Sequence, residues 1–421
     1  MLPRILMINT QSIYKNNATG ITMRSIVSVF PEDHIMELYR YDTKNKIAQR
    51  FNFKSIQLPP KAMPFNYCIR KFFHLENYTD AEKQNGVAYG SKVKHSLKEI
   101  IRNTIKALLE NSLILPDKRL LKMIDAFKPQ VIYTMGASFY IHKWTLLLSK
   151  RYQCPIILHY MDNWRQTAYT EDSRMLWLNK KLNRQVSRLE DRMENGLTIS
   201  DEMAEVYQKL YRHHYYPLMN VVESMDICQI EHKNINIVYA GGLHLGRELL
   251  LAETEKAIIE INKCGCNFRL LIYTSEDNRK KNCCLFHNEV TTFCPALPHE
   301  RIGEAYEQAD ILLHIESFDP QVIQFTKYSL STKIPEYFAS GKPLLCYAPE
   351  TIASYRYIME SGAGYCVTTQ EGLLHALQTL QSPEVRYKMG ELGKKIAKNN
   401  HSKQKLEEIV LKVFEIPEEQ D

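Results

Sequence analysis

Two short apolar runs constrain this chain more than any other feature: Ile311–Ile315, interrupted only by His314, and Leu344–Tyr347. Neither alternates polar with apolar residues, so both read as strands buried on two faces in a parallel sheet. The stretch between them, residues 329–343 (SLSTKIPEYFASGKP), contains a short helix. Pro335 suits a first helical turn, Ser331 or Thr332 can supply the cap, and Gly341 can end the helix in a left-handed conformation.

That helix opens beside Lys333. Unpaired backbone N–H groups, the positive end of a helix dipole and a lysine together make a site for phosphate or diphosphate. Glu336, in the same turn, would repel a phosphate and suits neutral hydroxyl donors, which the 2′/3′ diol of a ribose offers side by side. Lysine on diphosphate with glutamate on ribose is the footprint of a nucleoside diphosphate. The alternative makes Lys333 a solvated charge and Glu336 a first-turn acid matched to the dipole.

A chain of 421 residues exceeds one ordinary core and suits two domains of about 200 residues each. With 44% hydrophobic and 24% charged residues, it has the composition of a soluble globular protein. No apolar run approaches the ~18–20 residues that span a bilayer, and the start MLPRILMINTQS is too short and soon too polar for a signal peptide. A cytoplasmic protein is expected. The ten cysteines are scattered, and neither Cys264-x-Cys266 nor Cys283-Cys284 has the paired C-x-x-C spacing of a zinc site, so reduced thiols are expected. A formal charge of +6 is mildly basic, but no clustered Lys/Arg module points to nucleic acid. Anionic nucleotides and anionic membrane surfaces stay open as partners.

The pattern S-x-K-x-x-E-Y-x-A-x-G-K-P, from Ser331 to Pro343, resembles the donor-binding segment of GT-B glycosyltransferases, specifically the large retaining group 1, and the similarity extends in order over about residues 238–367. The resemblance implies an α/β chain of two Rossmann-like domains facing a cleft. It implies glycosyl transfer, with retention, from a nucleotide-sugar donor of UDP or GDP type to a saccharide or lipid-linked acceptor, in surface polysaccharide or glycoconjugate synthesis. Many members carry two glutamates eight residues apart; Tyr328 stands where the first would be. A hydrolysing nucleotide-sugar epimerase of the same fold and a non-catalytic nucleotide-sugar-binding subunit are the alternatives.

In the C-terminal half, a strand at 236–240 runs into Gly241-Gly242-Leu243-His244-Leu245-Gly246-Arg247. Glycines such as Gly242 let a backbone approach a ligand, and Arg247 can present a fork to phosphate oxygens. The resemblance pairs Arg247 with Lys333 on the diphosphate, where cations already in place stabilise the charge that grows on a leaving phosphate. They could substitute for a metal, which no D-x-D acid pair flanked by strands calls for. A strand at 269–273 runs into the loop Tyr273-Thr274-Ser275, which is placed to contact the base. Glu316 and Asp319 both follow Ile311–Ile315 and are both candidates for the sugar. His244 and His299 have no acid at a telling spacing and read as structural.

The N-terminal half opens with a strand at 4–9, a polar loop at 10–20 and a helical pattern from Ile21, the start of a Rossmann-like unit without G-x-G-x-x-G. The family's corresponding loop approaches sugar and acceptor, which gives Gly20 a role by resemblance; on residues alone it is a turn glycine. A helical insertion is expected at about 60–125. Within it, Leu97, Ile100, Ile101, Ile105, Leu108 and Leu109 recur at helical spacing beside a cationic row of Lys94, Lys98, Arg102 and Lys106. Such a helix can lie at an anionic membrane, on the inner face for a cytoplasmic enzyme, or bury its stripe in the domain and solvate its lysines. Asp162 follows a strand at 156–161 and is the candidate acid for an acceptor hydroxyl; its structural reading is an Asx turn or cap. The linker is placed at 220–233, giving domains of residues 1–222 and 223–421, with a last helix at 406–414 crossing back to the first.

Overall fold

Runs of apolar residues without alternation become the inner strands of two parallel sheets. The computed structural model describes residues 2–41, 47, 51–72, 97–223, 225, 227, 232–287 and 289–415. Two units result: one is the chain as far as Asn220 with the segment from Leu406 onward, the other is Val221–Lys405.

The first unit holds β1 (Ile5–Gln11), β2 (Ile35–Tyr41), β3 (Lys54–Gln57), β4 (Val131–Thr134), β5 (Ile156–Tyr160), β6 (Asn195–Thr198) and β7 (His214–Pro217). Their order is β3-β2-β1-β4-β5-β6-β7, with every neighbouring pair parallel. The closing helix Lys403–Phe414 buries Leu406, Val410, Val413 and Phe414, and the Phe414 ring lies 5.2 Å from Phe30 and 6.1 Å from Tyr133.

The second unit holds β8 (Ile235–Ala240), β9 (Phe268–Thr274), β10 (Thr291–Pro295), β11 (Ile311–Ile315), β12 (Leu344–Tyr347) and β13 (Gly364–Val367), in the order β10-β9-β8-β11-β12-β13 and again all parallel. Ile237, Leu270, Ile311, Leu313 and Leu345 are fully buried between the sheet and its helices. Each such side chain contributes about 1.5–3 kcal/mol of burial before entropy is counted. Both strand orders are those of doubly wound nucleotide-binding sheets.

The helix in the 329–343 stretch is Lys333–Ala339, with Pro335 in its first turn and Gly341 just beyond it at φ 69°. Its expected side-chain cap is absent. Thr332 already has helical angles (φ −61°, ψ −15°), whereas a capping side chain needs an extended backbone, so the Ile334 N–H donates to the Ser331 carbonyl instead. Helix Pro383–Asn400 packs against this helix through Gly390, where a Cβ would collide with the carbonyl of Gly341.

Candidate functional site

β8 and β11 are neighbours whose connections leave in opposite directions, and the loops beyond their carboxyl ends bound the place where open α/β sheets hold ligands. Arg247 opens helix Arg247–Lys263 directly after Gly246, and no side chain caps that helix. Glu316 is the first residue past β11. The Arg247 Nη2 donates to both Glu316 carboxylate oxygens, at 3.0 and 2.8 Å, with the two side chains only 16% and 7% exposed. His314 Nε2 lies 3.7 Å from the same carboxylate. The Arg247 Nε is buried and has no hydrogen-bond partner among the described residues.

Lys333 comes to this pair from the third side. Its Nζ is 5.3 Å from the Tyr239 ring centroid and fills the space a Cβ on Gly241 would need. Burial, then the like charge of Arg247, pushes the Lys333 ammonium down to about 8. Burial would raise the Glu316 carboxyl, but Arg247, His314 and Lys333 together outweigh it and hold the group below its ordinary value. Burial lowers His314 to about 4, so it is neutral. Two cations and one carboxylate from three segments thus meet at one place, with positive charge in excess.

Glu336 lies on the same helix as Lys333, one turn further on. Tyr306 donates its hydroxyl to Glu336 Oε2 at 2.7 Å, and His299 Nδ1 stands 3.4 Å from Oε1. Burial raises the Glu336 carboxyl, with His299 opposing. His299 therefore does have an acid partner, which sequence spacing does not reveal because Glu336 reaches it across the fold. Tyr306 gave no signal as a site residue. His314 did: a polar residue inside a buried apolar run needs a partner.

The remaining candidates divide. Tyr239 donates its hydroxyl to the Gly242 carbonyl at 2.8 Å, which shapes the loop after β8. Thr274 is buried and accepts from Asn278 Nδ2 at 3.2 Å, while Tyr273 is half-buried and its hydroxyl is pushed up to about 12, mainly by burial. Ser331 donates its N–H to Ser354 Oγ at 3.2 Å. Of the two acids left open, Asp319 caps helix Pro320–Thr326, accepting from the N–H groups of Gln321 and Val322, and Glu316 is the one at the cationic cluster. Tyr328 is buried, with the Lys327 ammonium 5.3 Å from its ring centroid.

In the first unit, Gly20 lies inside helix Ala18–Val27 rather than in the preceding loop; Asn17 caps that helix by accepting from the Gly20 N–H, and a Cβ there would collide with the Lys15 carbonyl. Asp162 is half-buried at the bend after β5. Lys94 lies outside the described residues, as does Cys228; the described cysteines are free thiols. The apolar stripe of helix Leu97–Glu110 is only partly buried. Ile100 and Leu109 are buried, whereas Leu97 (63%), Ile101 (50%), Ile105 (43%) and Leu108 (44%) are exposed beside Lys98 and Arg102, with Lys106 half-buried. Among the described residues no helix is long and apolar enough to cross a membrane, and no group of three or more His, Cys, Asp or Glu is gathered to hold a metal ion.

No protein-family model and no curated protein matches the chain. Solved structures do. Sucrose-phosphate synthase from Thermosynechococcus elongatus is similar at a TM-score of 0.64 with 10% identity, covering 98% of each chain. WaaG, a glycosyltransferase involved in lipopolysaccharide biosynthesis, is similar at 0.60 with 12% identity over 97% of this chain and 99% of its own. HepE from Anabaena, solved in complex with UDP-glucose, is similar at 0.60 with 11% identity over 97% and 98%. The fold is therefore that of the GT-B glycosyltransferases, with one parallel Rossmann-like sheet in each unit.

Removing Glu316 leaves Arg247 buried without its counter-charge beside Lys333. Glu316→Ala is expected to lower unfolding free energy by about 3–5 kcal/mol in urea titrations, and Glu316→Gln by less. An unchanged midpoint in Glu316→Ala would show that the pair is not buried as described.

Proposed function

We propose that this protein is a glycosyltransferase that moves a sugar from a nucleotide-sugar, of UDP or GDP type, to a saccharide or lipid-linked acceptor, with retention, in the assembly of a surface polysaccharide or glycoconjugate. The observation that carries this reading is the convergence of Arg247 and Lys333 on Glu316 beyond the strand ends, with Glu336 one helical turn from Lys333. An under-compensated pair of cations suits a diphosphate, and a carboxylate with one oxygen already accepting from Tyr306 suits a ribose hydroxyl as a further donor. HepE, of the same fold, is solved with UDP-glucose, which makes UDP-glucose the first donor to test.

In the reaction, the bond from the anomeric carbon to the diphosphate oxygen breaks and its electron pair stays on the phosphate. The acceptor hydroxyl oxygen bonds to the anomeric carbon on the same face, and its proton passes to that phosphate oxygen. Arg247 and Lys333 stabilise the charge as it grows, which accelerates the step because the charge is larger in the transition state than in the substrate. Asp162 is proposed on the acceptor side. A second reading, a non-catalytic subunit that binds nucleotide-sugar, draws on Tyr328 standing where the resemblance places a glutamate.

Three measurements test these readings. The purified chain should release UDP from UDP-glucose only with an acceptor present. Lys333→Ala and Glu336→Gln, both folded by circular dichroism, should lose about 100-fold or more of that activity. No transfer with any nucleotide-sugar, by a chain that still binds one, would establish the subunit reading.

Affinity for UDP should depend on pH through Lys333. Its folded-state value of about 8 lies below the unfolded one, so it is protonated and attractive at neutral pH and loses charge as pH rises through about 8. Calorimetric titrations should show UDP binding weakening across that range, and Lys333→Arg should abolish the decline. A flat profile in the unaltered chain would remove Lys333 from the diphosphate.

The exposed apolar residues of helix Leu97–Glu110, beside Lys98 and Arg102, support peripheral contact with an anionic membrane where a lipid-linked acceptor would reside. Lys98→Glu/Arg102→Glu should reduce flotation with phosphatidylglycerol vesicles. Equal flotation would discard the contact.

A further inference from the structure

The first unit carries a second concentration of positive charge that donor binding does not use. Helices Phe139–Tyr152 and Leu176–Glu190 pack together, and a cavity of about 470 Å³ at their surface is lined by Lys143, Lys150, Lys181, Arg184 and Arg188. The spacing explains the convergence: Lys143 and Lys150 are two turns apart on one helix, and Lys181, Arg184 and Arg188 follow the i, i+3, i+7 row of the other, alongside its buried Leu178, Leu182, Val186 and Leu189. No carboxylate lines the cavity, and none of the five cations makes an ion pair among the described residues. Nearby cations outside the cavity behave differently, since Arg151 meets Asp125 and Arg174 meets Asp172.

Gathering like charges without counter-ions disfavours the folded chain, and the effect is visible at Lys143, where burial and then the charge of Lys181 push the ammonium below its ordinary value. Lys143 is nonetheless held in place. Its Nζ donates to the carbonyls of Asn111 and Ser112, at 3.0 and 2.6 Å, and Asn111 is in turn fixed by Gln185, whose Nε2 donates to Asn111 Oδ1 at 2.6 Å. A lysine anchored by neutral carbonyls keeps its charge for something else. A single carboxylate would leave most of the five cations unneutralised, whereas a phosphate or diphosphate carries two or more charges on oxygens that guanidinium forks match.

We propose that this cavity is a binding site for a phosphate- or diphosphate-bearing ligand, held by cations from both helices and separate from the donor site. The same chemistry is offered by a soluble phosphate ester and by a lipid headgroup, and the test distinguishes them.

The full chain carrying Lys333→Ala, which silences the donor site, is titrated calorimetrically with pyrophosphate, with and without Lys181→Gln/Arg184→Gln/Arg188→Gln. The same chains are floated with phosphatidylcholine vesicles containing phosphatidylglycerol. A control with the same loss of charge elsewhere, Lys118→Gln/Arg119→Gln/Lys122→Gln, runs beside them. Pyrophosphate binding that survives Lys333→Ala and weakens about tenfold or more in the cavity variant, but not in the control, supports a soluble phosphate ligand. Loss of vesicle capture in the cavity variant alone, without a pyrophosphate effect, supports a headgroup. The proposal is overturned if the cavity variant changes neither arm, or if the control changes them as much.

Discussion

The second unit can keep two cations together beyond its strand ends because Glu316 neutralises one of them. Two like charges about 4 Å apart at a protein surface repel by roughly 4 kcal/mol, and each buried ion also loses several kcal/mol of hydration. Glu316 answers this for Arg247 with a two-oxygen contact at 3.0 and 2.8 Å. It does so incompletely for Lys333, whose ammonium falls to about 8. The missing negative charge is what a diphosphate would bring, so the cluster is poised for an anion rather than complete without one.

Glu336 obeys a different balance on the same helix. Burial raises its carboxyl, yet Tyr306 donates a hydrogen bond to one oxygen and His299 stands 3.4 Å from the other, in a place from which phosphate is repelled. Lys333 and Glu336 keep their relation because they share one short helix, and that helix is held against Pro383–Asn400 by the close backbone approach at Gly390. A helix of seven residues would not hold its shape alone, so its precision comes from packing.

The strands legible from sequence were those with continuous apolar runs. Ile311–Ile315 and Leu344–Tyr347 are read to the residue, because burial on both faces demands apolar side chains almost throughout, His314 being the one exception. The edge strand Lys54–Gln57 is only partly buried and gives a weaker pattern. The helix Leu97–Glu110 shows the limit of periodicity: spacing identifies the apolar residues but not that Ile100 and Leu109 turn inward while Leu97, Ile101, Ile105 and Leu108 face out. Gly20 and Asp319 were legible as residues with special local roles, yet one proved to be a packing position in a helix and the other a cap.

By itself the sequence determined the succession of buried strands and helices, hence two parallel sheets, and the placement of Lys333 and Glu336 one turn apart, since both follow from spacing along the chain. Only the tertiary structure decided that Arg247 meets Glu316, that Tyr306 and His299 meet Glu336, and that cations from two helices line one cavity. These are contacts between distant segments, and their existence depends on which loops the order of strands in a sheet and the packing of helices bring together, which no local pattern encodes.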